Sequence, residues 1–98
     1  MIARISTLQG SPEGVEAGIA SVGERVFPAV QDMPGFKGIL AFADRSSGKL
    51  MAITLWESED ALRASEEAAN ALRASAAQVG SAQIVGVERL EVTFNSMM

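Results

Sequence analysis

The chain has no cysteine, no histidine and no tyrosine. Without cysteine there is no thiol nucleophile and no disulfide. Without histidine there is no imidazole base, no serine-hydrolase triad and no axial imidazole for a haem. Zinc sites built from those two residue types are excluded with them, so no metal and no cofactor are expected. Basic residues are also scarce: 8 Lys and Arg stand against 12 Asp and Glu, giving a net charge of −4 and a pI of about 4.7. Nucleic-acid binding needs a basic stripe, and an anionic membrane surface asks for the same, so both are excluded as partners. No apolar run approaches the ~20 residues of a membrane span. The opening M-I-A-R-I-S-T-L is too short and interrupted for a signal peptide, which makes a cytoplasmic location the default. The lack of cysteine itself says nothing about redox compartment.

What is present is apolar. Hydrophobic residues make up 48% of the 98 positions and charged residues 20%. That is enough for a core in a single domain, 1–98, but so short a chain leaves apolar surface uncovered. The stretch from Phe36 to Trp56 organises the rest: two apolar runs flank a polar, glycine-containing turn, D-R-S-S-G-K, which predicts a β-hairpin. Pairing Leu40 with Ile53 and Phe42 with Met51 puts Phe36, Leu40, Phe42, Met51, Ile53 and Leu55 on one face. Ile39, Ala41, Ala43, Leu50, Ala52, Thr54 and Trp56 take the other. A hairpin with one wet side should alternate apolar with polar, and this one does not.

Residues 2–8 predict a first strand. Ser11-Pro12-Glu13 then announces a helix, with Ser11 as cap and Pro12 at the first turn. Val15, Ile19, Val22, Val26 and Val30 form one stripe at helical spacing. Pro28 predicts a kink or an early end near Phe27. Met33-Pro34-Gly35 stops the helix before the hairpin. After Trp56, Ser58 caps a second helix running to about Gln78 and closed by Gly80. Leu62, Ala69, Leu72, Ala76 and Val79 supply its buried stripe, and Glu59 and Arg63 pair at a spacing of four. A-L-R-A-S occurs twice, at 61–65 and 71–75, and reflects Ala-rich helix composition rather than a repeat fold. Ala82 to Phe94 is a last strand in which Gly86 marks a bulge or bend, and the tail N-S-M-M is expected to be loose.

The order is β-α-β-β-α-β, an α+β, ferredoxin-like arrangement: a four-stranded antiparallel sheet with two helices on one face. The helices are expected on the Phe36/Leu40/Phe42 face, or on its opposite if a bulge shifts the register. The face left over still carries apolar side chains worth ~1.5–3 kcal/mol each on full burial. Domains of this size are stable by only ~5–15 kcal/mol. A second copy packed face to face resolves the conflict, so a homodimer through the sheet face is expected.

Six residues are candidates for a pocket: Trp56, Arg4, Asn70, Phe42, Met51 and Leu72. Trp56 either stacks on a planar ligand or closes the hairpin and anchors the second helix. Arg4 either meets a ligand carboxylate or enolate oxygen, or pairs with Glu88 or Glu91 on a neighbouring strand. Asn70 either orients a ligand oxygen or faces solvent. Phe42, Met51 and Leu72 either line a cavity or pack as core. Glu66 and Glu67 point about 100° apart on a helix and read as a solvated face. Ser65 and Ser75 have no histidine to activate them.

Three segments carry a family resemblance: M-P-G-F-K-G at 33–38, A-D-R-S-S-G-K at 43–49 and A-I-T-L-W-E-S-E-D-A-L at 52–62. With these the chain resembles the dimeric α/β-barrel superfamily, specifically antibiotic-biosynthesis-monooxygenase-like domains, over nearly its whole length. The resemblance implies a ligand pocket between helices and sheet and a dimeric barrel. It also implies activities that range over cofactor-independent oxygenation of aromatic polyketides, quinol oxygenation and haem degradation. The haem-degrading members use an Asn on strand one with a Trp and a His on helix two; the matching positions here hold Ile5 or Ser6, Ser65 and Ser75. Two functions follow as expectations. One is a cofactor-independent monooxygenase acting on a small aromatic or quinol-type substrate, whose anion Arg or Asn groups stabilise. The other is a non-catalytic dimeric module that binds a small apolar or aromatic ligand or serves structure alone. An enzyme requires a cavity of ~300 Å³ or more with two converging polar groups. The module requires Phe42, Met51 and Leu72 packed without one.

Overall fold

The computed structural model describes residues 1–97. Four strands, β1 (Ile2–Gln9), β2 (Phe36–Asp44), β3 (Lys49–Trp56) and β4 (Gln83–Glu91), form one antiparallel sheet in the order β2-β3-β1-β4. The hairpin register is the one read from the sequence, with Leu40 opposite Ile53 and Phe42 opposite Met51. The turn fixes it. Asp44 Oδ1 accepts from the Ser46 amide at 3.0 Å and its hydroxyl at 2.7 Å, and Gly48 adopts φ 84°, a conformation that favours glycine.

The helices cover the face opposite to the one first expected. Trp56, Thr54, Ala52 and Leu50 of β3 and Ile2, Arg4, Ser6 and Leu8 of β1 turn toward them. A bulge at Lys37 brings Phe36 to that face as well. Phe36 pairs with Trp56 while Gly38 pairs with Leu55, so Phe36 changes sides and packs edge-on against Trp56, 5.6 Å between centroids. A second bulge skips Val85, beside Gly86 as anticipated. The helix-free face presents Leu40, Phe42 and Leu90, all exposed, around Ile5, Met51, Ile53 and Leu55.

The first helical stretch, 12–30, is continuous and does not break at Pro28. A 3-10 turn (Pro12–Gly14) leads into α1 (Val15–Ser21), then a π-turn (Val22–Val26), then α2 (Phe27–Val30). The widened turn lies immediately before the proline, with the Phe27 amide donating back five residues to Val22 O. The extra residue absorbs the register that Pro28, which has no N–H, would otherwise disrupt. Ser11 occupies the cap position without a side-chain bond, so its expected capping role is not filled. Val15 and Val30 are buried and Ile19, Val22 and Val26 half-buried, as the stripe requires.

The second helix is capped by Ser58, whose Oγ accepts from the Ala61 amide at 3.1 Å, and it bends at Ser65 into α3 (Glu59–Ala64) and α4 (Glu66–Val79). The bend has a local cause. Leu62 O accepts from the Ser65 hydroxyl at 2.7 Å and from Arg4 Nη2 at 3.0 Å, and such side-chain competition bends helices. Ala77, not Val79, completes the buried stripe. The core gathers Val30, Trp56 and Leu62, with Ile2, Met33, Phe36, Ala61 and Leu72 against them. No helix among the described residues is long and apolar enough to cross a membrane.

Candidate functional site

A cavity of about 320 Å³ lies between the helices and the sheet. It exists because small residues stand where a core would carry large ones. Ala41, Ala43 and Ala52 face it from the strands, Gly18 from α1, and Ala69 and Ala76 from α4. Ile19, Val22, Val26, Leu50 and Leu72 add larger apolar side chains to the wall. The π-turn therefore forms part of the lining, a frequent position for such turns. A Cβ at Gly18 would lie 2.4 Å from Leu50 Cδ1, so any larger residue there would push the tip of that leucine aside.

Polar groups line the cavity from four places: Arg4 and Ser6 on β1, Thr54 on β3, Arg45 in the hairpin turn and Arg73 on α4. Thr54 Oγ1 accepts from Trp56 Nε1 at 3.0 Å. Arg4 is 3% exposed, and its Nη2 donates to Leu62 O, Ser65 Oγ and Glu66 Oε2 at 3.0, 3.0 and 2.9 Å. Its Nε is buried without a partner. Glu66 also binds Arg89. The Arg89 hydrogen bond, and then Arg4, outweigh partial burial and hold the Glu66 carboxyl down at about 2. Arg73 Nε donates to Ser6 Oγ at 3.0 Å and its Nη1 to Asn70 Oδ1 at 2.8 Å. Desolvation, then repulsion from Arg4, lowers the pKa of Arg73.

Of the residues expected at a pocket, Arg4, Phe42, Met51 and Leu72 border this one. Phe42 and Met51 do so from strand positions whose side chains alternate to the helix-free face, where Phe42 is half exposed. Trp56 is fully buried one layer behind the cavity and is absent from its wall. Asn70 is exposed and is likewise absent, touching the site only through Arg73. Arg4 does not pair with Glu88 or Glu91. In the ladder those residues stand opposite Ile5 and Ile2, and Arg4 stands opposite Arg89. Glu66 is correspondingly no part of a solvated face; it is the counter-charge that Arg4 and Arg89 share.

Sequence reading missed Arg73, Ser6 and Thr54. A signal for the first was present: Ala69, Leu72, Arg73 and Ala76 are one helical stripe, so a charged residue fell on the inward face.

Similarity to known proteins follows this geometry. The chain is 39% identical over 84 residues to an uncharacterised protein of Mycobacterium tuberculosis, Rv2558, covering 84% of this chain and 36% of that protein. It thus spans about a third of that relative's length. Among solved structures it superposes on a monooxygenase from the gene ActVA-Orf6 of Streptomyces coelicolor in complex with nanaomycin D. That match has a TM-score of 0.70 at 17% identity and covers 99% and 89% of the two chains. It also superposes on SnoaB, a cofactor-independent oxygenase from Streptomyces nogalater, with a TM-score of 0.66 at 18% identity over 99% and 97%. At such identities the likeness carries the fold. The family model for antibiotic biosynthesis monooxygenase matches residues 1–77, and with most of its length matched the chain belongs to that family.

Proposed function

We propose that the chain is a cofactor-independent monooxygenase acting on a small, electron-rich aromatic of quinol type, bound in the cavity between helices and sheet. The observation that carries this reading is the cavity itself: about 320 Å³ with an apolar wall, into which Arg4, Ser6, Thr54 and Arg73 converge. The fold likeness to a cofactor-independent oxygenase supports it. The substrate anion supplies the electrons. In an anthrone, a ring methylene loses two hydrogens and gains one oxygen atom from O₂, and the second oxygen atom leaves as water with those hydrogens. The charged groups of the cavity wall are arginines, which stay protonated and accept no proton. The chain therefore contributes orientation, exclusion of water and stabilisation of the developing oxyanion.

The lack of a base in that wall favours a second reading, a binding module of the same fold without turnover. Oxygen uptake over a panel of hydroquinones and anthrones separates the two. The enzyme raises uptake above the protein-free rate and yields the quinone. Calorimetric binding without uptake leaves the module.

The same reading includes a homodimer. Leu40, Phe42 and Leu90 are 39%, 50% and 51% exposed on the helix-free face, and covering what remains of such side chains is worth about half of the ~1.5–3 kcal/mol that full burial gives each. Sedimentation at micromolar concentration should give twice the chain mass, and Phe42→Glu should shift it to the monomer. A wild-type monomer would remove the dimer.

A further inference from the structure

A chain of net charge −4 surrounds this apolar cavity with arginine and, among the described residues, no carboxylate: the charged residues of the wall are Arg4, Arg45 and Arg73. Two of the three are already paired. Arg4 is held by Glu66, and Arg45, at the rim, by Glu16 at 2.8 Å. Arg73 differs. Its hydrogen-bond partners, Ser6 and Asn70, are both neutral, and its Nη2 has no protein partner among the described residues. Glu66, the carboxylate whose charge acts on it, is shared by Arg4 and Arg89. Three guanidinium groups therefore cluster around a single carboxylate. Half-buried charge without a counter-ion is unfavourable for the folded state, and burial and the neighbouring cations do lower the pKa of this guanidinium. A guanidinium fork offers a carboxylate two parallel donors, with a geometry an isolated phenolate oxygen does not match. Ser6 adds a third. Its oxygen accepts from Arg73 Nε, which leaves its own hydrogen to donate.

We propose that the cavity selects an aromatic carboxylate, with Arg73 and Ser6 holding the carboxylate and the wall of Ile19, Val22, Leu50 and Leu72 taking the ring. This rests on the reading of the cavity as the ligand site. It narrows the quinol-type substrate to one that bears an acid group. Arg73 is a specificity-determining residue on this account, and its removal has two opposite effects: it relieves repulsion with Arg4 and weakens the ligand.

The test is calorimetric binding of 2-naphthoate and of its neutral isostere 2-naphthamide, at low salt, to the wild type, Arg73→Gln and Arg73→Lys. The wild type should prefer the acid by roughly tenfold or more, as charge-assisted bonds outweigh neutral ones. The preference should vanish in Arg73→Gln and survive in part in Arg73→Lys. The ligand-free Arg73→Gln protein should melt no lower than the wild type, whereas an arginine of merely structural importance would lower the melting temperature. Equal binding of acid and amide to all three proteins overturns the carboxylate assignment and leaves the cavity as a ligand site. Binding of neither probe to any of them overturns both.

Discussion

Trp56→Ala should destabilise the protein by about 4 kcal/mol, the middle of the range for truncating a buried aromatic. The side chain is fully buried and lies at the centre of the cluster formed with Val30 and Leu62. Three contacts go with it. The Phe36 ring loses its edge-on neighbour, and Phe27, 6.3 Å from Phe36, loses its support through it. The guanidinium of Arg4, 5.8 Å from the indole ring, loses a cation–π contact. Thr54 Oγ1 loses the donor that orients it beside the cavity. Trp56→Phe keeps the aromatic contact and loses only the hydrogen bond and some volume, so it should cost about 1–2 kcal/mol. Because Trp56 is the sole tryptophan, urea unfolding must be followed by far-ultraviolet circular dichroism. A loss below 1 kcal/mol for the alanine variant would mean that the hairpin and second helix are anchored elsewhere.

That anchoring role was legible in the sequence, and so was most of the fold. Asp44 and Lys49 pair across a four-residue turn, Arg45 to Gly48, which fixes the pairing of Leu40 with Ile53. Hairpin register is set locally, and this one was read correctly for that reason. The side of the sheet that meets the helices was not legible. Both hairpin faces are apolar, so periodicity could not choose between them, and one bulged residue, Lys37, is enough to move Phe36 across. The same kind of local accommodation kept the first helix intact. Pro28 signals a kink or an early end near Phe27, but the helical stretch runs on to Val30 through a π-turn in which the Phe27 amide bonds back to Val22 O. Nothing in propensity announces such a turn.

The site was legible in part. Arg4 stood out as a charge in an apolar strand. Its partner did not, because Glu66 reaches it from a helix, whereas reading across neighbouring strands points to Glu88 and Glu91. The cavity left a signal that composition obscures. Alanine at positions 41, 43, 52, 69 and 76 reads as good strand or helix filling one residue at a time. Only when the elements are assembled do those alanines share a volume, and then they leave a space that larger side chains would have closed.

The arginine pair sets the last expectation. Arg4 and Arg89 face each other across β1 and β4, like charges that oppose strand pairing. Glu66 bridges them from α4. Glu66→Gln should therefore destabilise the protein by about 3 kcal/mol at pH 7, because Arg4 is left buried without a counter-charge while the two cations still repel. The pH dependence follows from the depressed pKa. A carboxyl held at about 2 in the folded state, against 4.5 as its ordinary value, contributes its full stabilisation above about pH 4.5. The contribution drains away as the pH falls toward 2, where the wild type takes up the proton that glutamine mimics. Urea unfolding of the two proteins from pH 7 down to pH 2.5 should show their stability curves converging below pH 4.5. Arg4→Met combined with Glu66→Gln should recover part of the loss, since an apolar chain at position 4 needs no counter-charge. A gap between wild type and Glu66→Gln that stays constant from pH 7 to pH 2.5 would show that Glu66 acts through packing and not through its charge.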